Sequence, residues 1–162
     1  MKRDFLPLLL AILPIAVLAI LAGVLLSYAT VSEDFEDLVY GEGMVSIADA
    51  SVSVEIPYTQ SGFRQGLAGR DELAEDAGML FLCLPGPYPK FWMKGMKFPI
   101  DIIWIADGKV VDLDLAAEPQ PDKSDHQLPL YQPNSAVDYV LEVPAGWTIR
   151  SQIEVNDSFM LK

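Results

Sequence analysis

The chain is poor in the residues that most site chemistry relies on. It holds one cysteine, Cys83, and one histidine, His126, in 162 residues. A single cysteine excludes an internal disulfide and a thiolate zinc site, and a single histidine excludes a His-rich metal cluster. Positive charge is scarce as well: 11 Lys and Arg stand against 23 Asp and Glu, a net charge of −12. Binding to phosphate backbones needs clustered Lys and Arg, so this balance argues against nucleic acid as a partner. G-x-S-x-G, H-E-x-x-H and a phosphate-cradling glycine loop are all missing. No motif implies a cofactor.

Apolar residues, by contrast, are abundant. They make up 51% of the chain, and the mean hydropathy of +0.27 is high for so acidic a sequence. The excess is concentrated at the start. From Phe5 to Ala29 there is no charged residue, and such a run forms a helix of roughly 37 Å, enough to cross a hydrocarbon layer of about 30 Å. Pro7 falls in the first turn, and Pro14 is expected to kink the helix, which membrane helices tolerate. Lys2 and Arg3 precede the run and the next basic residue is Arg64, so the positive-inside rule puts the N-terminus in the cytoplasm and the rest outside. The rival reading is a signal peptide cleaved near Ser27-Tyr28-Ala29, but the run is longer than an ordinary signal core. The expectation is a single-pass anchor over 1–29 in the cell membrane, with an extracytoplasmic C-terminal part. Without residues 1–29, 9 basic and 22 acidic residues remain, a charge of −13.

Residues 30–43 read as an acidic linker, with Glu33, Asp34, Glu36, Asp37 and Glu42 and no positive charge. Like charges extend such a segment and repel it from an anionic membrane surface. A β domain is expected over 44–162. Val52, Val54 and Ile56 alternate with Ser51, Ser53 and Glu55, the period-2 pattern of a half-buried strand. Thr59 is placed to cap a short helix over Gln60–Gln65 that Gly66 stops. Gly78–Leu84 reads as a strand buried on both faces, ended by Pro85-Gly86-Pro87. Further strands are expected over Lys90–Met96, Asp101–Ala106, Lys109–Leu115, Val137–Val143 and Ile153–Leu161, with Asp107-Gly108 as a hairpin turn. A second short helix is expected near Trp147–Gln152, and Ala117–Ser135 is a long polar loop. The fold class is mainly β, a sandwich- or barrel-like domain with one or two short helices.

Four segments, FRQGLAGRDEL (Phe63–Leu73), EDAGMLF (Glu75–Phe81), FWMKGMKFPID (Phe91–Asp101) and YVLEVPAGW (Tyr139–Trp147), occur in order along the chain. Together they resemble the family catalogued as domain of unknown function 192, bacterial and archaeal proteins often exported or membrane-anchored. The resemblance covers about Ser51 to Phe159 and implies a mainly β, sandwich-like domain. It implies no activity, since none is established for the family. Two departures stand out: the family often has Asn, or another polar residue, where this chain has Gly95, and usually Gly-Asp near the last strand, where this chain has Asn156-Asp157. Asn tolerates a left-handed backbone almost as glycine does, so the second turn is expected to survive.

Several side chains are candidates for function. On an extended FWMK segment, Phe91 and Met93 point one way while Trp92 and Lys94 point the other, offering an indole beside a cation. Alternatively Trp92 fills the core and the lysines are solvated. Asp101 and Glu142 lie in apolar strands, where carboxylates need partners, and Arg70 is suited to grip one through two hydrogen bonds. They form either a structural clasp or an acid/base pair of the kind used in glycoside hydrolysis. Cys83 is expected to be an inert buried thiol; a Cys83–His126 nucleophile pair has little to support it. Asp112 and Asp114 are expected to face solvent and are weak metal candidates, without EF-hand spacing.

Three functions follow. The leading one is a non-catalytic envelope module that binds a small molecule, glycan or protein through Trp92, Lys94, Arg70, Asp101, Glu142 and the loop carrying Tyr131. The second is a hydrolase-type enzyme using Asp101 and Glu142 with Arg70. The third is an envelope scaffold. A pocket lined by Trp92 or Tyr131 without a convergent carboxylate pair marks the first, and a pocket with that pair marks the second.

Overall fold

A computed structural model describes residues 40–83 and 88–162. The expected membrane helix, most of the acidic linker and the Pro85-Gly86-Pro87 break lie outside the described residues. Among the described residues no helix is long and apolar enough to cross a membrane.

The domain is mainly β: seven strands in one sheet, with two short helices. The strands are β1 (Tyr40–Ile47), β2 (Ala50–Pro57), β3 (Ala77–Leu82), β4 (Ile100–Ala106), β5 (Lys109–Ala117), β6 (Tyr139–Pro144) and β7 (Phe159–Leu161), and the helices are α1 (Gln60–Gln65) and α2 (Trp147–Arg150). Their order in the sheet is β5-β4-β6-β3-β2-β1-β7. All neighbours are antiparallel except β2 and β3, which run parallel with α1 in the connection. The two ends of this order meet where Lys109 of β5 bridges Ser158, just before β7. The sheet is therefore curled into a half-barrel and is not a two-sheet sandwich.

Local signals in the chain produce several of these elements. Thr59 caps α1 by accepting a hydrogen bond from the Gly62 N–H at 3.0 Å. Gly66, at φ 51°, ends the helix and returns its own N–H to the Gly62 carbonyl. Asp107 and Gly108 take φ of 51° and 68°, the left-handed pair that a tight hairpin between β4 and β5 demands. Asn156 sits at φ 82°, a left-handed backbone that asparagine tolerates, so the turn expected there is present.

Four expectations are corrected. β1 begins at Tyr40, so the end of the acidic linker is already sheet. Lys90–Met96 is not a strand: Phe91 makes a single bridge to Tyr131, and a turn at Lys94-Gly95 breaks extension. The last strand shrinks to three residues. In β5 the sequence pattern, Val111, Leu113 and Leu115 alternating with Val110, Asp112 and Asp114, predicts one apolar face, but the phase shifts, because irregularities in its pairing with β4 fall between Ile100 and Ile102 and between Trp104 and Ile105. Val110 is consequently fully buried.

Each face of the sheet carries its own core. The inner face gathers Val45, Ile47, Val54, Leu80, Ile103, Leu141 and Val143 with Trp147 from α2. The outer face carries Met79, Phe81, Ile102, Trp104 and Val140, covered by Leu67, Phe91, Met93 and Val137 from irregular segments. Gly78 lets β3 approach β6, since a Cβ there would lie 2.8 Å from the Glu142 carbonyl oxygen.

Candidate functional site

On β6 the period-2 alternation turns Glu142 to the outer face. Its cross-strand neighbours are Met79 on β3 and Ile102 on β4, both buried and apolar. The carboxyl group is 6% exposed. Among the described residues it has neither a counter-ion nor a side-chain hydrogen bond. Removal from water penalises the charged form, and burial pushes the Glu142 carboxyl up to about 8. At neutral pH it is a neutral acid, able to donate a hydrogen bond.

Glu142 helps to line a cavity of about 590 Å³. The walls include Phe63 and Arg64 of α1, Phe81 of β3, and Lys90, Phe91, Trp92 and Lys94 of the segment that precedes β4. Phe81 meets Phe63 and Phe91 edge to face at 5.1 and 5.0 Å between ring centres, and Phe91 continues the series to Trp104 at 5.7 Å. Such contacts favour a fixed arrangement of rings. The expected alternation holds although the strand does not: Phe91 and Met93 are buried, while Trp92 and Lys94 are exposed. Lys94 Nζ lies 5.2 Å from the centre of the Trp92 ring and donates to Asp125 Oδ2 at 2.5 Å.

The long loop after β5 supports this wall. Its 3-10 turn, Asp125–Gln127, supplies the partner of Lys94, and Tyr131 exchanges two backbone hydrogen bonds with Phe91, both 2.9 Å. Tyr131 does not itself line the cavity. Its hydroxyl titrates above the ordinary range because of burial, with Asp114 and Glu118 adding to the effect.

The structure does not bring the carboxylate pair together. Asp101 pairs with Val143 and Glu142 with Ile102, so the two side chains leave opposite faces of the sheet. Asp101 is 1% exposed and accepts hydrogen bonds from the Ala116 N–H at 2.9 Å and the Thr148 N–H at 3.1 Å. It clasps the end of β5 to α2. Arg70 joins neither carboxylate. It donates to both oxygens of Glu55 at 2.5 and 2.6 Å and stacks 5.7 Å from the centre of the Tyr40 ring. That guanidinium holds the Glu55 carboxyl below its usual range.

Asp112 and Asp114 are half-buried and spoken for. Asp114 accepts from the Trp104 indole N–H at 2.8 Å, and Asp112 from the Asn134 amide at 2.8 Å. Among the described residues no group of His, Cys, Asp or Glu is arranged to hold a metal ion. Burial pushes the Cys83 thiol up to about 11, so it stays protonated and unreactive at neutral pH. His126 is exposed and contacts Ser124 at 3.2 Å.

Residues 43–161 match the model of the family DUF192, Uncharacterized ACR. The chain belongs to this family. Two solved structures share the DUF192 chain's fold. One is a proposed transcription regulator from Sinorhizobium meliloti 1021, 27% identical, with a TM-score of 0.67 over 77% of this chain and 97% of that one. The other is a protein of unknown function from Novosphingobium aromaticivorans, 25% identical, with a TM-score of 0.63 over 75% of this chain and 84% of that one. No curated protein matches the chain. Gly95 sits at φ 69°, a left-handed conformation that glycine adopts without strain.

Of the residues singled out in the sequence, Glu142, Trp92 and Lys94 line this cavity, while Phe63, Arg64 and Phe81 were not expected there. Those three lie in the first two of the four motifs. Nothing local indicated that those motifs converge.

Proposed function

We propose that this chain is a membrane-anchored, extracytoplasmic binding domain whose ligand site is the Glu142 cavity. The observation that carries the reading is a buried carboxylic acid without a partner that faces a cavity walled by aromatic rings. A bound ligand that accepts from the Glu142 O–H gives it a partner that the described side chains do not supply. The volume, about 590 Å³, falls within the range of about 300–1,000 Å³ usual for small-molecule sites. With Asp101 committed to two backbone amides on the other face, no second carboxylate lines the cavity beside Glu142 among the described residues.

Residues 5–29 supply the anchor in this reading, and the acidic segment after them holds the domain off the bilayer. The regulator description of the Sinorhizobium protein is not carried over. A net charge of −12 works against binding to a phosphate backbone.

Thermal-shift screening of the full chain against sugars, organic acids and Ca²⁺ tests the site. A ligand at one hundred times its Kd adds about 2.7 kcal/mol, a rise of several degrees in midpoint. The rise is expected to vanish in Glu142→Leu. If no compound moves the midpoint, the binding reading fails. Topology is checked separately with a C-terminal phosphatase fusion, active only outside the cytoplasm.

A further inference from the structure

We infer that the Glu142 cavity takes a small aromatic organic anion, its ring against Phe81, Phe91 and Trp92 and its charged group toward Arg64 and Lys90. This rests on reading the cavity as a ligand site and goes on to name the class of ligand.

The charge distribution leads to it. The chain carries 11 basic and 23 acidic residues, yet the cavity is lined by three cations, Arg64, Lys90 and Lys94, and by one acidic residue, Glu142. The local sign is therefore opposite to that of the whole molecule. Lys94 is partly neutralised by Asp125 and held against the Trp92 ring. Arg64 and Lys90 make no ion pair among the described residues, so both remain available. Glu142 removes the remaining objection to an anion. It sits at the apolar inner wall as a neutral acid, adding no negative charge and offering an O–H donor.

The acidic body works against an approaching anion, and magnitudes decide between the two effects. Screening at physiological salt acts over about 8 Å. Distant carboxylates are therefore damped, while cations lining the cavity act at contact. The walls select for a ring, since Phe81 and Phe91 are fixed edge to face and Trp92 is 43% exposed. A cationic ring compound would meet like charge at Arg64 and Lys90.

The test is a titration of the full chain in detergent micelles with indole-3-acetate, indole-3-acetamide and tryptamine, followed by the Trp92 indole N–H resonance. These share a ring and differ in charge. The acetate is expected to bind at least tenfold more tightly than the amide, and tryptamine at least tenfold more weakly than the amide. In the double variant Arg64→Gln, Lys90→Gln, both positions being exposed, the acetate is expected to fall to within twofold of the amide. Equal binding of acetate and amide would overturn the anion assignment and leave the cavity reading standing. So would an acetate preference that survives the double substitution. If none of the three compounds moves the Trp92 resonance, the cavity reading fails and the anion assignment goes with it.

Discussion

Asp101 and Glu142 sit on neighbouring strands, one register position apart, and the sheet sends them to opposite faces. On the inner face Asp101 meets regular packing: α2 and the end of β5 each present a backbone N–H to it. On the outer face Glu142 meets no donor, because that face is covered by irregular segments that bring rings and leave a cavity. Both carboxyls are nearly inaccessible, at 1% and 6% exposed. Burial alone therefore says little about role. The difference lies in whether the surrounding elements supply hydrogen bonds, and it separates a structural carboxylate from one that is open to a ligand.

Substitutions can break this comparison. The largest effect is expected at Asp101. Asp101→Ala leaves two N–H groups without their charged acceptor, a loss of about 3–5 kcal/mol at pH 7, measurable by urea unfolding. The second concerns pH. Glu142 holds its proton to about pH 8 when folded but only to about 4.5 when unfolded. Between those values the native state binds more protons than the unfolded state, so stability falls as pH rises and levels off above pH 8. The total fall is on the order of 5 kcal/mol, and unfolding curves of Glu142→Gln are expected to lack it. A wild-type slope equal to that of the variant would place Glu142 in water and dissolve the contrast with Asp101.

Smaller effects sharpen the contrast. Gly78→Ala presses a Cβ on the Glu142 carbonyl and is expected to cost about 1–3 kcal/mol without changing the pH slope. Arg70→Ala removes a pair that is about one-third exposed, so water and salt reduce the loss to about 1 kcal/mol. Gly95→Asn is expected to cost about 1 kcal/mol, because asparagine tolerates the left-handed backbone but its Cβ would sit 3.3 Å from the Ala68 Cβ, and a β-branched residue there should cost more.

What could be read directly from the chain follows the range of the interaction. Thr59, Gly66 and the Asp107-Gly108 pair act within a few residues, and each element they mark is present as expected. The alternation in Tyr139–Pro144 correctly singled out Glu142 as an intruder among apolar residues. Its separation from Asp101 depends on β4 lying beside β6, a pairing across some forty residues that no local pattern encodes. Arg70 found Glu55 for the same reason, through the placement of β2. The expected strand at Lys90–Met96 failed for a local cause: Gly95 takes a left-handed conformation, and the run folds back over the outer face. The phase shift that buried Val110 is a bulge, which polarity alone does not reveal.

The interrupted pairing of β5 has one more effect. β5 is an edge of the sheet beyond its start, where Val110 already exchanges hydrogen bonds with Asn156 and Asp157, and a regular edge offers free N–H and C=O groups to any extended chain that drifts alongside. Here the ladder is broken twice, Ala116 turns to φ 51°, and Asp112 and Asp114 crowd the strand. The opposite edge, β7, offers only three residues. Among the described residues, an incoming strand finds only short straight runs: pieces of β5, and Tyr40–Gly43 of β1 beyond the reach of β7. Copies of this domain held close together gain little by zipping edge to edge, and a partner gains more from side chains and hollows than from backbone.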